Sequence, residues 1–395
     1  MKAGWVRRPL GDVLMKTETT DQTLKPNKEF DYIDVSSVSN ETLMIQETQR
    51  LNGKDAPSRA RRRVKANDVL FATIRPTLRR IAIVPDEFDG QVCSTGYFVL
   101  RASAQLDSRF VFYFLQTEGF MSEMEKLQKG ASYPAVTDGD IRAQGIPLPP
   151  LPEQQRIVAI LDEAFAGIAT AKANAEKNLR NARGLLDVRL SEIFLNESCD
   201  WKRKTLREVS LDFGRGKSKH RPRNDPKLYG GPYPFIQTGD VRGSDHLITE
   251  YSQSYSKAGL AQSKLWPKGT LCITIAANIA ETGILDFDAC FPDSVIGVVA
   301  DPKQTSNTFL QYLLQSAKTQ LKAKGKGSAQ DNINLGTFEN ERFPFPNPAT
   351  QSRICNELGS LAQSVRELES LYTRKLAALV ELKQSLLQRA FAGQL

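Results

Sequence analysis

Apolar side chains recur three or four positions apart over two long tracts of the chain, and alternate with polar ones in short runs elsewhere. The first tract opens with Pro149, Pro150 and Pro152 and runs through Ile157, Leu161, Ala164, Ile168, Ala171, Ala175, Leu179, Ala182, Leu186, Leu190 and Ile193. No further proline occurs before Phe194, and Gly167 and Gly184 are its only glycines. This spacing predicts a single helix. A proline in the first turn is tolerated because the N–H it lacks has no helical partner there. The second tract starts after Pro348 and carries Ile354, Leu358, Leu361, Val365, Leu368, Tyr372, Leu376, Leu379, Leu386 and Ala390, with Lys383 at a seam position. A local change of phase is expected to bring Leu382 into the place of Lys383.

At ~1.5 Å per residue each tract makes a helix ~60–65 Å long, which one small domain cannot bury. Each seam therefore needs a partner helix. A homo-oligomeric coiled coil would provide one. Pairing within the chain is preferred, because both tracts belong to it and the alanine-rich first seam fits closely against the leucine-rich second. If the helices run antiparallel, the two halves of the chain are related by a pseudo-two-fold axis.

Outside these tracts, β-branched and aromatic runs at residues 32–35, 69–74, 81–84 and 96–100 predict strands, punctuated by Asn-Gly, Asp-Gly and Pro. A helix is expected over 108–127. In the second half, 234–236, 271–275 and 295–299 predict strands and 307–324 a helix. The expected fold class is α+β: two mixed α/β domains separated by two long helices that form an antiparallel intramolecular coiled coil.

The chain is also written twice. Trp5, Leu10 and Val13 recur as Trp201, Leu206 and Val209, and Leu70 to Ile74 is echoed by Leu271 to Ile275. Tyr113 and Gln116 return as Tyr312 and Gln315. After Gly130 and Gly327 the offset settles, pairing Pro147, Pro149, Gln154, Arg156 and Ile157 with Pro344, Pro346, Gln351, Arg353 and Ile354. An ordered series at a nearly constant offset is the signature of an internal repeat.

Composition narrows the function classes. The 395 residues, 40% hydrophobic, suit two or more domains better than one. Of the net charge of +8, seven charges fall in residues 1–149 (21 basic, 19 acidic) and 200–346 (20 basic, 15 acidic), so the excess lies outside the helical tracts and favours an anionic partner. Five scattered cysteines without a Cys-x-x-Cys pair, and two histidines, argue against zinc and against a disulfide framework. No tract approaches the ~20 apolar residues that span a bilayer, and the N-terminus has no leader-like core. A reducing cytoplasm is the expected location.

The elements Pro147-x-Pro149-Pro150-Leu151-x-Glu153-Gln154-x-x-Ile157, the opening Trp201, Leu206 and Val209, and residues 229–241 (YGGPYPFIQTGDV) resemble those of type I restriction-modification specificity subunits. In the second half the proline signature decays to Phe343-Pro344-Phe345-Pro346 followed by Gln351. The resemblance implies a subunit with no active site and no cofactor of its own, within a type I deoxyribonuclease and adenine methyltransferase complex. It implies target-recognition domains at 1–148 and 199–346, each reading one half of an asymmetric, interrupted sequence in double-stranded DNA. The helices at 149–198 and 347–395 would set the spacing and dock methyltransferase subunits, two of them, with restriction and translocase subunits joining the assembly.

Base edges are read by side chains presenting paired donors or acceptors, whereas phosphates take any cation. The candidates in the first domain are Arg59, Arg61, Arg62, Arg63 and Lys65, then Arg75, Arg79 and Arg80 around Pro76, then Lys129 and Ser132 beside Gly130. The second domain offers Arg215, Lys217, Ser218, Lys219, Arg221 and Arg223 in a segment expected to be too basic and polar to be buried, with His220 among them. Lys324, Lys326, Ser328, Gln330 and Asn332 form the counterpart of the Gly130 loop, and Gln237 and Asn278 have the amide geometry to read adenine. Solvated turns would share much of this composition.

Catalytic motifs are missing. Gly216-Lys217-Ser218 lacks the earlier glycine of a phosphate loop, Leu211 standing there, and Asn347-Pro348 is followed by Ala349 rather than the proline and aromatic of an amino-methyltransferase. Pro292-Asp293 with Asp301-Pro302-Lys303 imitates a metal-dependent nuclease, but Pro302 would break the strand such a site needs. A metal-dependent nuclease, or a coiled-coil scaffold with incidental basic loops, stand as the alternatives to a DNA-reading subunit.

Overall fold

The computed structural model describes residues 4–195, 200–220, 222–276, 280–325 and 335–395. The chain forms two compact units, Met1–Glu176 with Arg374–Leu395, and Lys177–Thr373. Each unit thus owns part of both long helices, Leu151–Leu195 and Pro348–Phe391. No described helix is long and apolar enough to cross a membrane.

The first unit contains β1 (Val6–Pro9), β2 (Glu29–Ile33), β3 (Gln49–Asn52), β4 (Ala60–Arg63), β5 (Val69–Ala72), β6 (Ile81–Ile83), β7 (Val92–Ser94), β8 (Tyr97–Leu100) and β9 (Gly145–Leu148). They make a sheet of order β3-β2-β7-β4, another of order β6-β5-β8, and a ribbon of β1 with β9. All four residues of β5 are buried, and the alternation of a strand sends them to two different cores. Val69 and Phe71 join Phe110, Val111, Phe120 and Met124 of the covering helices. Leu70 and Ala72 face Ile33, Val64, Cys93 and Tyr97. Each large side chain buried this completely contributes roughly 1.5–3 kcal/mol.

One helix expected over 108–127 is two. Asp107 caps Ser108–Phe114, its carboxylate accepting from the N–H groups of Arg109 (2.8 Å) and Phe110 (3.0 Å). Thr117 then starts Glu118–Leu127, its hydroxyl oxygen accepting from Phe120 N–H at 3.3 Å. The apolar periodicity runs through both pieces because both pack on the same core; Thr117, a good cap, marks the break.

The second unit contains β10 (Lys202–Lys204), β11 (Ser210–Arg215), β12 (Tyr229–Phe235), β13 (Leu247–Ile248), β14 (Gln253–Tyr255), β15 (Leu271–Thr274), β16 (Thr282–Leu285), β17 (Val295–Ala300) and β18 (Phe343–Phe345). The main sheet has the order β11-β17-β15-β16-β13, with a β12-β14 pair and a β10-β18 ribbon. Helix Asn307–Gly325 covers it, with Phe309 and Leu313 buried against Ile273, Ile296 and Val298.

The repeat is real, with one adjustment of register. β1 and β10 clasp the strands that lead into the long helices in the same antiparallel sense, Val6 opposite Leu148 and Lys202 opposite Phe345. In the cores, however, Val69 opposite Leu100 and Phe71 opposite Phe98 hold the helix-facing positions that Leu271 opposite Val298 and Ile273 opposite Ile296 hold in the second unit. Matching Leu70 with Leu271 by sequence is therefore off by one residue, and a slip of one residue exchanges the faces of a strand.

The two long helices meet antiparallel within each unit. In the first, Ile157 and Leu161 share a core with Leu387 and Ala390, and Arg156 Nη2 donates to the Leu395 carbonyl at 2.6 Å. In the second, Leu186, Leu190 and Phe194 share a core with Ile354, Leu358 and Ala362, while Arg183 and Arg189 donate to Glu369 (2.9 Å) and Glu357 (2.7 Å). The phase change expected at Lys383 does not occur. Leu382 is 47% exposed, and Lys383 keeps the seam position with its ammonium 5.0 Å from the centre of the Phe165 ring. Its long stem can lie along the apolar seam, and the aromatic face takes the charge.

Candidate nucleic-acid interface

The arginine-rich run of the first unit is itself strand β4, not a loop. Its alternation and its neighbours assign a carboxylate to three of its members. Arg62 makes a bidentate pair with Asp138 (2.8 and 3.1 Å), Arg63 lies 3.4 Å from Glu18, and Arg61 pairs with Asp21. The Thr23 side chain first, and Arg61 after it, hold the Asp21 carboxyl below its ordinary range. These arginines fasten the β-sheet to flanking segments. Arg59 and Lys65 are exposed at its ends, with no ion pair among the described residues.

Around Pro76 the three arginines have three different tasks. Arg80 Nη1 donates to the carbonyls of Val35, Ser36 and Val38 (3.1, 3.2 and 2.8 Å), closing the end of the short helical turn Val35–Ser37. Arg79 Nη2 donates to both carboxylate oxygens of Glu118, at 2.8 and 2.9 Å. Arg75 is exposed, and its guanidinium lies 5.3 Å from the centre of the Tyr133 ring. The turn Pro76–Leu78 is bounded by Arg75 and Arg79, both left-handed at φ 50° and 54°.

Beside this turn, residues 129–135 form a hairpin closed by reciprocal Lys129 and Ala135 backbone hydrogen bonds, both 2.9 Å. Gly130 has φ +102°, and a Cβ there would come within 2.9 Å of the Tyr133 carbonyl. Lys129, Ser132 and Tyr133 are exposed, Tyr133 by 72%. Tyr133 was not among the candidates read from the sequence; an aromatic directly after Gly130-Ala131-Ser132 and just before Pro134 was the available signal.

In the second unit the basic segment is not wholly exposed. Arg215 ends β11, and the chain then continues extended over Phe291, so that Gly216 and Ser218 are buried while Arg215, Lys217 and Lys219 point outward. A Cβ on Gly216 would lie 2.1 Å from the Phe291 carbonyl, which explains the glycine. Expecting Ser218 at the surface was wrong because alternation, not polarity, sets which side chains turn inward. The three outward cations have no ion pair among the described residues, whereas His220 meets Asp225 at 2.9 Å and Arg223 holds Asp293 at 2.9 and 3.1 Å.

Gln237 is occupied too. Its N–H donates to Asp240 at the start of helix Thr238–Gly243, and its amide nitrogen donates to Gln253 Oε1 at 2.7 Å. Reading an adenine would require it to exchange that partner. Arg221, Asn278, Lys326, Ser328, Gln330 and Asn332 lie outside the described residues, as does the side chain of Lys324 in helix Asn307–Gly325. The nuclease imitation is accounted for otherwise: Asp293 holds Arg223, and Asp301 accepts from Lys303 N–H and from Gln304. Among the described residues no cluster of three acidic, histidine or cysteine side chains could hold a metal ion.

Known proteins with the same organisation are specificity subunits. The family model described as "Type I restriction modification DNA specificity domain" matches twice, over residues 2–179 and 199–371. The HindI specificity subunit of Haemophilus influenzae is 26% identical, over 85% of this chain and 88% of its own length. The EcoDI specificity subunit of Escherichia coli is 25% identical over 150 residues, 38% of this chain and 33% of that one. A solved structure concerned with complex assembly and conformational transition of the type I R-M system contains a chain 29% identical, with a TM-score of 0.87, covering 100% of this chain and 99% of that one.

Proposed function

This chain belongs to the family of type I restriction-modification DNA specificity subunits, whose domain it carries twice, and from that premise we propose that its two halves read the two parts of one asymmetric, interrupted sequence in double-stranded DNA. The reading domains are residues 1–148 and 199–346. The segments 149–198 and 347–395 set the distance between the half-sites and dock two methyltransferase subunits, with restriction and translocase subunits joining in the cytoplasm. The chain contributes recognition, and its partners contribute the chemistry.

One observation carries this reading: the same clasp, antiparallel three-strand core (β6-β5-β8 and β16-β15-β17) under helices, and long helix occur twice, while the outward cations differ. In the first unit these are Arg59, Lys65, Arg75 and Lys129 on turns and a hairpin; in the second they are Arg215, Lys217 and Lys219 along one extended edge. A shared scaffold with unlike surfaces is what two unlike half-sites require.

The test is methylome sequencing of a host with and without the chain. One interrupted motif, methylated only when the chain is present, is the expected result. The purified chain should methylate nothing alone and confer site-specific methylation on its partner subunit. An unchanged methylome, or a metal-dependent cut by the chain alone that Asp293→Ala abolishes, would overturn the reading.

A further inference from the structure

Two non-glycine residues in the left-handed region bound a single short turn, Arg75 at φ 50° and Arg79 at φ 54°. Left-handed backbone strains an ordinary residue in a way that glycine escapes. A side chain kept at such a position normally performs some task that offsets the strain. For Arg79 the task is visible in its ion pair with Glu118. For Arg75 nothing inside the described protein accounts for it. It has no carboxylate partner there, only a marginal 3.5 Å contact from Nη2 to the Ser132 carbonyl and the face of Tyr133.

Tyr133 is the second observation. The ring is 72% exposed, its hydroxyl has no hydrogen-bond partner among the described residues, and the guanidinium lies 5.3 Å from its centre. Neither residue is loosely placed. Arg75 N–H donates to the Pro134 carbonyl at 2.7 Å, Val136 N–H to the Thr73 carbonyl at 3.0 Å, and Ile74 bridges to Ala135. The turn and the hairpin are therefore one platform. It carries the exposed Arg75 guanidinium, a planar fork of donors, over the Tyr133 ring. Such a fork matches the O6 and N7 acceptors of guanine in the major groove.

We propose that Arg75 is a base-reading residue of the first unit, directed at a guanine edge, and that Tyr133 is its positioning residue. This rests on the DNA-reading function proposed above. Lys129, exposed on the same hairpin, supplies phosphate affinity without discrimination.

The decisive variant is Arg75→Gly, because glycine relieves the left-handed strain while deleting the fork. The complete complex carrying this variant should melt no lower than the parent. Its methylated motif should nonetheless become degenerate at one guanine of one half-site, with the other half-site intact and affinity for the original sequence lower by ~10- to 100-fold. Arg75→Lys, which keeps the charge but not the fork, should be degenerate at the same position. Tyr133→Phe should keep the motif, and Tyr133→Ala should relax it at that guanine without changing the salt dependence of binding. An Arg75→Gly complex that methylates the parental motif unchanged overturns the proposal, and a smaller salt dependence beside that unchanged motif makes Arg75 a phosphate contact. If the parent complex itself shows no motif dependent on this chain, it is the DNA-reading function that has failed instead.

Discussion

Gln154 Oε1 accepts the backbone N–H of Asp107 at 2.9 Å, which ties the first turn of a 45-residue helix to the residue that caps the domain's covering helix. The Gln154 amide nitrogen donates to the carbonyls of Gln105 and Pro149, both at 2.9 Å, and the side chain is wholly buried. Gln351 repeats the arrangement in the second unit. Its amide nitrogen donates to the carbonyls of Gln304 and Pro346, both at 2.9 Å, and its Oε1 accepts from the Thr305 hydroxyl at 2.8 Å. The glutamine of the proline-rich signature is thus the bolt between domain and helix, and in each copy two of its three contacts reach 46–49 residues back along the chain.

Removing that bolt should be costly. Gln154→Ala leaves a buried N–H and two carbonyls without partners, at roughly 1–3 kcal/mol for each group that stays unsatisfied. A loss of about 2–4 kcal/mol in urea unfolding is expected, and Gln154→Glu should also destabilise because a carboxylate cannot donate to the two carbonyls. A change below about 0.5 kcal/mol would show that water replaces the amide without penalty.

Lys383 offers the opposite case, a substitution that stabilises. Burial in the seam lowers its basicity, with Lys172 and Arg79 adding to the effect. Lys383→Leu should raise stability by about 0.5–1 kcal/mol, the gain in apolar burial exceeding the lost contact with Phe165. The pH dependence has a definite sign. The folded protein gives up this proton at lower pH than the unfolded chain does, so the cost of burying the charge is fully present below the folded value and is relieved as pH rises toward 10.5. The stability difference between the two proteins should therefore narrow with alkaline pH. Melts of both proteins at neutral and alkaline pH test this, and a gap that widens would refute it.

The outward edge Arg215, Lys217 and Lys219 should behave as a phosphate-binding rail. Replacing each by alanine is expected to weaken DNA binding alike for all sequences, and to reduce the slope of log affinity against log salt by about 1 per residue. Fluorescence anisotropy over a salt series measures it. An unaltered slope in the triple variant would place the DNA elsewhere on the second unit.

What the sequence determined by itself was everything carried by short-range periodicity and by repetition. The two long helices, the strands β5, β6, β8, β15 and β17, the duplicated plan and the family signature all follow from spacing along the chain, because the 3.6 and 2.0 periods of helix and strand record which face is apolar. The tertiary structure alone decided which polar side chains were free. Arg62 and Arg75 look alike in sequence, yet a carboxylate 76 residues away occupies the first, while the second meets a tyrosine ring and a backbone carbonyl but no carboxylate. Likewise Leu382 and Lys383 differ by one position on a helix, and the seam accepted the lysine because Phe165, on the other long helix, offered its charge an aromatic face. Charge pairing and strand register depend on partners brought together by folding, and no local pattern records them.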